Sequence, residues 1–382
     1  MKGRRARVAL VSSYWPSHEE PYRGQTAYQI LKRLTEWADI AAFVPVPAYP
    51  SWLQPRTFRS SHSGTQHPLP GVTSQYFEYP ALVGLGRLWN GRLVEGKLRE
   101  AVTAYRPDIL LNYWLYPDGW AAVRIGHRLG IPVVLGSIGS DVRLIRDQAT
   151  RMYTRQALRG SAGLIAVSED LRRGAIELGA RADRSVTIRN GCDPAMFHLR
   201  SRVEARAQLG IASETELILF VGNLLVTKGL NELWGAFQAL AGSRPRLEVA
   251  ILGEGAWKIP GASQNNRFRL LGRASAEQVA LWMAAATVFC LPSYSEGCPN
   301  VVVEALACGR PVVGTNVGGI PDLVRSGFNG VLAEPRSVAS LMEALSIALC
   351  RSWDEEAIAS EGGRTWDDAA EETKNFLSQF LP

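Results

Sequence analysis

A chain of 382 residues, 46% apolar and 20% charged, is long enough for two full-sized cores and has an ordinary globular composition. No apolar run approaches the roughly 18–20 residues of a membrane-crossing helix, which argues against an integral helical membrane protein. The formal charge of +6 is uneven: residues 1–190 carry 26 Lys+Arg against 15 Asp+Glu, and residues 191–382 carry 16 against 21, so +11 stands beside −5.

Residues 1–7 are charged but lack the apolar stretch and small-residue cleavage site of a signal peptide, so a cytoplasmic protein is expected. Residues 7–13 (RVALVSS) read as a buried first strand, followed by a loop with Pro16 and Pro21 as breakers. Gly24 then opens a helix to about Trp37 with Ala27, Ile30, Leu31 and Leu34 on one face. A glycine at that place either admits a ligand to the backbone or serves a tight turn. Residues 40–44 read as the second strand, and residues 45–70, rich in Pro, Ser and His, as a long surface loop. His62 and His67 have no Cys or carboxylate partner at ligand spacing and read as solvated loop residues, not metal ligands. Residues 76–79 form a short strand, and residues 88–105 an amphipathic helix. The mixed apolar and basic segment 82–93 suits either core packing or a membrane interface. Strands are expected at 109–112, 132–137, 163–167 and 185–189, with a helix at 118–130 and a capped helix after Ser168. Small residues and an acid, Ile138-Gly139-Ser140-Asp141, follow one strand end, where open α/β sheets place ligands.

Asn190-Gly191-Cys192-Asp193-Pro194 is a strong turn and marks a boundary. The expected division is residues 1–195, residues 196–364, and a final helix in 365–382. Beyond the turn come strands at 217–221, 247–252, 269–271, 287–291 and 311–314, with helices at 203–209, 230–241, after Ser275, after Pro299, after Gly319, 337–350 and 366–380. Cys192, Cys290, Cys298, Cys308 and Cys350 are odd in number, lack a C-x-x-C pair and have apolar neighbours, as expected of reduced, mostly buried thiols.

Strands alternate with helices throughout, and the strands are apolar runs without polar alternation. That pattern predicts parallel sheets covered on both faces, in two doubly wound α/β domains facing across a cleft. Ligand-facing residues are then expected at the strand ends: Gly24 and Asp141 in the first domain, and Gly222 to Lys228 with Glu296 to Glu304 in the second. Pro299 is expected in the first turn of a helix whose open N–H groups suit a phosphate. Lys228, at a helix start, suits phosphate oxygens, although such a lysine is equally a surface residue. Glu304 lies about 7.5 Å along the helix, where a carboxylate can accept two hydrogen bonds from vicinal hydroxyls, as on a ribose. Glu296, outside the helix, sits near whatever lies beyond the phosphates. The two acids read as anchors at two ends of a ligand, not as a hydrolytic pair.

Glu296-x7-Glu304 within PSYSEGCPNVVVEALACGRPVVGTNVGG (residues 292–319) resembles the signature of the family 4 retaining glycosyltransferases of the GT-B fold. FVGNLLVTKGL (220–230), ILGEG (251–255), AVSEDLRR (166–173) and NGCDPAMF (190–197) stand in that family's order and spacing. EPYRG (20–24) is similar to the acceptor-domain loop of members that build capsular or teichuronic-type polysaccharides. The resemblance covers nearly the whole chain. It implies transfer of a sugar from a nucleotide diphosphate sugar, UDP- or GDP-linked, to a glycan or lipid-linked acceptor, with retention and without a metal or other cofactor. Glu304 would hold the ribose, Lys228 the diphosphate, and Glu296 the donor sugar. Backbone groups at Gly297, Cys298, Asn300 and Val301 would bind sugar and phosphates, with Gly222, Asn223 and Arg273 nearby, and the last helix would return to the first domain. An anionic membrane surface suits the basic half, against the alternative of an Arg-rich soluble surface. Nucleic acid is not expected, for want of a basic cluster with interleaved aromatics.

Two positions depart from the family pattern. Asn223 stands where members commonly carry Arg, and Ile138 where many carry His. Their loss of charge and polarity keeps a second reading open, a nucleotide-sugar-binding protein with little or no transferase activity.

Overall fold

The computed structural model describes residues 4–16, 23–49, 72–81, 86, 88–145, 147–260 and 266–381. His62 and His67, most of the expected 45–70 loop, residues 20–22 of EPYRG and part of the 82–93 segment lie outside the described residues. The chain divides into two compact units, Met1–Arg189 with Asp367–Pro382, and Asn190–Trp366.

The first unit is a parallel sheet of β1 (Ala6–Val11), β2 (Ala38–Ala48), β3 (Val72–Pro80), β4 (Ile109–Asn112), β5 (Val133–Ser137), β6 (Gly163–Ala166) and β7 (Ser185–Thr187), in the order β3-β2-β1-β4-β5-β6-β7. Its helices are α1 (Gln25–Leu34), α2 (Asn90–Tyr105), α3 (Trp120–Leu129), α4 (Ser140–Arg143), α5 (Gln148–Gly160) and α6 (Glu169–Leu178). The central strands β4, β5 and β6 are buried throughout, as continuous apolar runs between helical layers must be. Edge strand β3 instead alternates buried and exposed at its start, which corrects the expectation of strands without alternation.

Strand β2 runs four residues past its expected end, through Pro45 and Pro47, so the 45–70 loop starts later than expected. The register explains the tolerance. Phe43 accepts from the Ser12 N–H, so odd residues face the β1 side, while Ala48 accepts from Ala81 on the β3 side. Pairing with β1 ends at Phe43. Pro45 and Pro47 therefore present their missing N–H groups where no neighbour needs them.

The second unit is a parallel sheet of β8 (Glu216–Val221), β9 (Leu247–Leu252), β10 (Phe268–Gly272), β11 (Val288–Leu291), β12 (Val312–Thr315) and β13 (Gly330–Ala333), in the order β10-β9-β8-β11-β12-β13. Around it lie α7 (Arg202–Leu209), α8 (Leu230–Ala241), α9 (Ala276–Ala285), α10 (Asn300–Ala307), α11 (Ile320–Leu323), α12 (Val338–Cys350) and α13 (Glu355–Gly362). Ser275 and Gln278 cap α9 reciprocally, the box their spacing encodes. Pro299 is the N-cap of α10, with ψ 112, one position before the expected first turn. Strand β13 and helices α5 and α13 were not foreseen from sequence.

Cys192 closes the second unit, its N–H donating to the Arg364 carbonyl and its carbonyl accepting from Trp366. A Cβ on Gly191 would stand 2.1 Å from the Thr365 carbonyl carbon, so the turn needs glycine. Helix α14 (Trp366–Ser378) lies almost wholly in the first unit, where Phe376 and Phe380 pack over Gly163 and Arg33 pairs with Asp367 at 2.6 Å. Four of the five cysteines are buried and all are free thiols; Cys350 is exposed.

Candidate functional sites at the two switch points

Each sheet reverses its direction of winding once. In the second unit β9 and β10 lie on one side of β8, and β11, β12 and β13 on the other. The loops leaving β8 and β11 thus part at the carboxyl edge, the place where open α/β sheets accept ligands. Lys228 and Glu296 stand on those two loops, and the Lys228 ammonium donates to Glu296 Oε1 at 2.6 Å.

The backbone around this pair has little freedom. Gly229 (φ +72) lies so close to the β11 loop that a Cβ would fall 1.9 Å from the Pro292 carbonyl oxygen. The Tyr294 N–H donates to the Thr227 carbonyl at 2.9 Å. From the other side, Gly318 (φ +56) is pressed against Glu296, where a Cβ would fall 1.8 Å from its carbonyl oxygen. Thr315 Oγ1 donates to the Ser293 carbonyl. The loop carrying Glu296 is therefore held by the loops that follow β8 and β12.

That loop passes Gly297 and Cys298 into α10. The N–H groups of Asn300 and Val301 lie in the first turn, ahead of any helical acceptor, whereas Val302 already donates to the Pro299 carbonyl. Asn190 fixes this entry: its amide donates to the Cys298 carbonyl at 3.1 Å and to Asn300 Oδ1 at 2.7 Å. Sequence reasoning saw Asn190 only as a turn former, because its partners lie more than a hundred residues away. Glu304, one turn further on, is partly exposed and has no hydrogen-bond donor among the described residues. Burial pushes its carboxyl up to about 7. The remaining expected residues are on the same sheet edge. Gly222, Gly253 and Gly272 link the ends of β8, β9 and β10, with Gly253 donating to Gly272 at 2.8 Å and lying against the Gly222 carbonyl. Asn223 and Arg273 follow directly and are exposed.

The first unit has its switch point between β1 and β4. Ser12 Oγ donates to the Tyr113 carbonyl at 3.1 Å and the Ser13 N–H to Asp118 Oδ2 at 2.5 Å. Tyr14 stacks on Trp114 with ring centroids 4.4 Å apart. Beside these loops is a cavity of about 380 Å³ walled by Tyr14, Tyr49, Tyr79, Trp114 and Tyr116, with Arg23 and Asp141 also lining it. Asp141 Oδ1 accepts from Ser137 Oγ and the Gly139 N–H, while its Oδ2 has no partner among the described residues. Asn90 and Thr154 line the same cavity, and Asn90 Oδ1 and Thr154 Oγ1 are also buried without partners among the described residues. Burial pushes the carboxyls of both Asp118 and Asp141 up to about 6. Gly24 (φ +65) makes its close approach to the Tyr14 carbonyl, 2.3 Å from where a Cβ would stand. Sequence reasoning singled out Gly24 and Asp141 but missed Asp118 and the aromatic wall; neither has a spacing signal. Among the described residues no group of three or more His, Cys, Asp or Glu is placed to hold a metal.

Two Rossmann-like sheets, each with a populated switch point, define a two-unit α/β enzyme class, and comparison with known proteins identifies it. Residues 201–366 match the glycosyl transferases group 1 family and residues 24–191 the glycosyl transferase 4-like domain. Over 355 residues the chain is 28% identical to TuaC of Bacillus subtilis (strain 168), a glycosyltransferase assigned to teichuronic acid biosynthesis, covering 89% of this chain and 88% of that one. It is 30% identical to a D-inositol 3-phosphate glycosyltransferase of Frankia alni over 281 residues, covering 66% and 68%. Among solved structures it is similar to Anabaena HepE in complex with UDP (TM-score 0.75, 20% identity, 98% and 100% covered). It is also similar to sucrose-phosphate synthase from Thermosynechococcus elongatus (TM-score 0.71, 17% identity, 98% and 99% covered). The chain belongs to the family 4 glycosyltransferases and has the GT-B fold.

Proposed function

We propose that the protein transfers a sugar, with retention of anomeric configuration, from a nucleotide diphosphate sugar to a glycan or lipid-linked acceptor in cell-surface polysaccharide biosynthesis. The observation that carries this reading is the grouping of Lys228, Glu296, Glu304 and the start of α10 at one switch point. Glu304 accepts hydrogen bonds from the ribose hydroxyls; no donor among the described residues competes for it. The diphosphate lies against the N–H groups of Asn300 and Val301, and Lys228 turns from Glu296 to its oxygens. Glu296 then takes hydroxyls of the donor sugar, while the backbone at Gly297 and Cys298 shapes the same pocket. Gly222 and Asn223 border the diphosphate, to which Asn223 offers only a neutral amide, and Arg273 borders the nucleoside end. As the bond from the anomeric carbon to the diphosphate oxygen breaks, negative charge grows on the leaving group, and Lys228 with the α10 N–H groups stabilises it. No metal or other cofactor has a part in these steps. The first unit's cavity takes the acceptor, with Asp141 and the aromatic wall offering acceptors and stacking faces to sugar hydroxyls and rings. A uridine donor is the first to test, since HepE is similar and was solved with UDP, and also with UDP and glucose.

Asn223, exposed and uncharged where the family commonly has Arg, favours the second reading, nucleotide-sugar binding with little transfer. Mass-detected transfer from UDP- and GDP-linked sugars to free and lipid-linked glycans separates the two. Transfer with a retained anomer by NMR is expected. An inverted product contradicts retention, and donor binding without transfer or hydrolysis leaves the second reading.

A further inference from the structure

A surface beside the first unit's cavity is left unused by this chemistry. On one rim, Trp89 is 54% and Leu88 37% exposed, and the next residue, Asn90, lines the cavity. On the other rim Leu144 is 56% exposed and lines the cavity itself. The Leu88 carbonyl accepts from Tyr153 Oη at 3.1 Å, which ties this rim to α5, where Met152 is 44% exposed. Single exposed apolar residues are ordinary, but Leu88, Trp89 and Leu144 flank one cavity, with Met152 on the helix beside it, a grouping that water does not favour.

Arginines outnumber acids on the helix beside the patch. Helix α5 carries Arg151, Arg155 and Arg159 and no acid. The guanidinium of Arg92 lies over the Trp89 ring, 5.8 Å from its centroid. Arg92, Arg151 and Arg155 are exposed and make no ion pair among the described residues. Of the neighbouring acids, Asp170 pairs with Arg143, Glu169 with Arg172 and Arg173, and Asp147 caps α5, while Glu177 shares a groove with Arg151. Tryptophan and long arginine stems are suited to a boundary where one side is apolar and the other wet.

We propose that this face docks on an anionic lipid surface, with Leu88, Trp89, Leu144 and Met152 entering the headgroup boundary and Arg92, Arg151 and Arg155 meeting lipid phosphates. Docked in this way, the cavity mouth opens at the lipid surface, within reach of an acceptor whose anchor stays in the bilayer. The docking itself needs neither donor nor transfer, so it can fail while the transferase reading stands.

The test is co-sedimentation of the full chain with phosphatidylcholine vesicles, with and without phosphatidylglycerol. Binding is expected only with the anionic lipid, falling as salt rises. Arg92→Gln, Arg151→Gln and Arg155→Gln together should weaken it on the order of 100-fold. Trp89→Ser should reduce both binding and the quenching of tryptophan fluorescence by brominated lipid. Should the triple variant lose its fold, Arg151→Gln and Arg155→Gln, both on the exposed side of α5, are read singly by the same assay. With a water-soluble acceptor, transfer by these two variants should match the parent protein. No binding to anionic vesicles at low salt, or binding that the arginine and tryptophan variants leave unchanged, would overturn the proposal. So would a preference for heparin over the vesicles, since the surface would then serve a soluble polyanion.

Discussion

At Glu304 the demands of stability and binding pull apart. Its carboxyl, ordinarily near 4.5, is pushed up to about 7 because protein crowds it without offering a donor. The unfolded chain gives up this proton first as pH rises, so the stability present below the ordinary value is lost between that value and about 7. Glu304→Gln removes the titration. Urea denaturation near pH 8 should find this variant more stable than the parent on the order of 1–3 kcal/mol, with the difference gone near pH 4. The same position should lose donor affinity: Glu304→Ala is expected to cost roughly 1–3 kcal/mol by calorimetry. Unchanged nucleotide affinity would remove Glu304 from the ribose. Asp118 and Asp141, both pushed up to about 6, steepen the loss of stability over the same acid-to-neutral range. Lys228, Glu296 and Glu304 stand out in the sequence because each sits at a fixed offset from a strand end or helix start, and they are candidates for the proposed site. Asn190 and Asp118 could not, because each gains its meaning from a distant partner, Asn300 and Ser13.

Among elements, the three loops at the carboxyl edge of the second sheet behave as one unit, since Gly229 and Gly318 let them touch. Alanine at either position would meet a carbonyl oxygen within 2 Å and a positive φ as well. Gly229→Ala or Gly318→Ala should each cost on the order of 3 kcal/mol or more, seen as a lowered urea midpoint. A cost within a few tenths would mean that these loops are not held against each other. Arg310 is a second tie. It is fully buried, donates to the Cys308 and Ala286 carbonyls, and pairs with Glu355 at the start of α13. Glu355→Ala leaves that guanidinium without its carboxylate and should cost about 3 kcal/mol in thermal or urea unfolding. Sequence showed Arg310 only as one residue of the 292–319 stretch, and α13 not at all, since its eight residues bury only Ile358. Helix α5 was overlooked for a like reason: its buried face is just Thr154, Ala157 and Leu158. The prolines of β2 marked a false strand end because the register that excuses them is a property of the sheet.

For the whole molecule, the alternation of strands and helices was enough to predict two parallel sheets. The order of the strands, and hence the position of each switch point, is a tertiary fact that periodicity does not carry. In the proposed reading, that order lets one nucleotide touch residues from 222 to 304 while leaving the first sheet alone. A nucleoside diphosphate should therefore slow amide hydrogen exchange in residues 222–229 and 292–304, with β4 to β6 of the first unit unchanged. Protection confined to the first unit would place the nucleotide in the wrong sheet.

The most direct measurement is a calorimetric titration of uridine and guanosine mono- and diphosphates into the protein and into its Lys228→Ala variant. One diphosphate is expected to bind at least about tenfold more tightly than its monophosphate, and the lysine variant should erase that advantage. Equal affinity for mono- and diphosphate, unaltered by loss of Lys228, would contradict a donor site built around this ammonium and the start of α10.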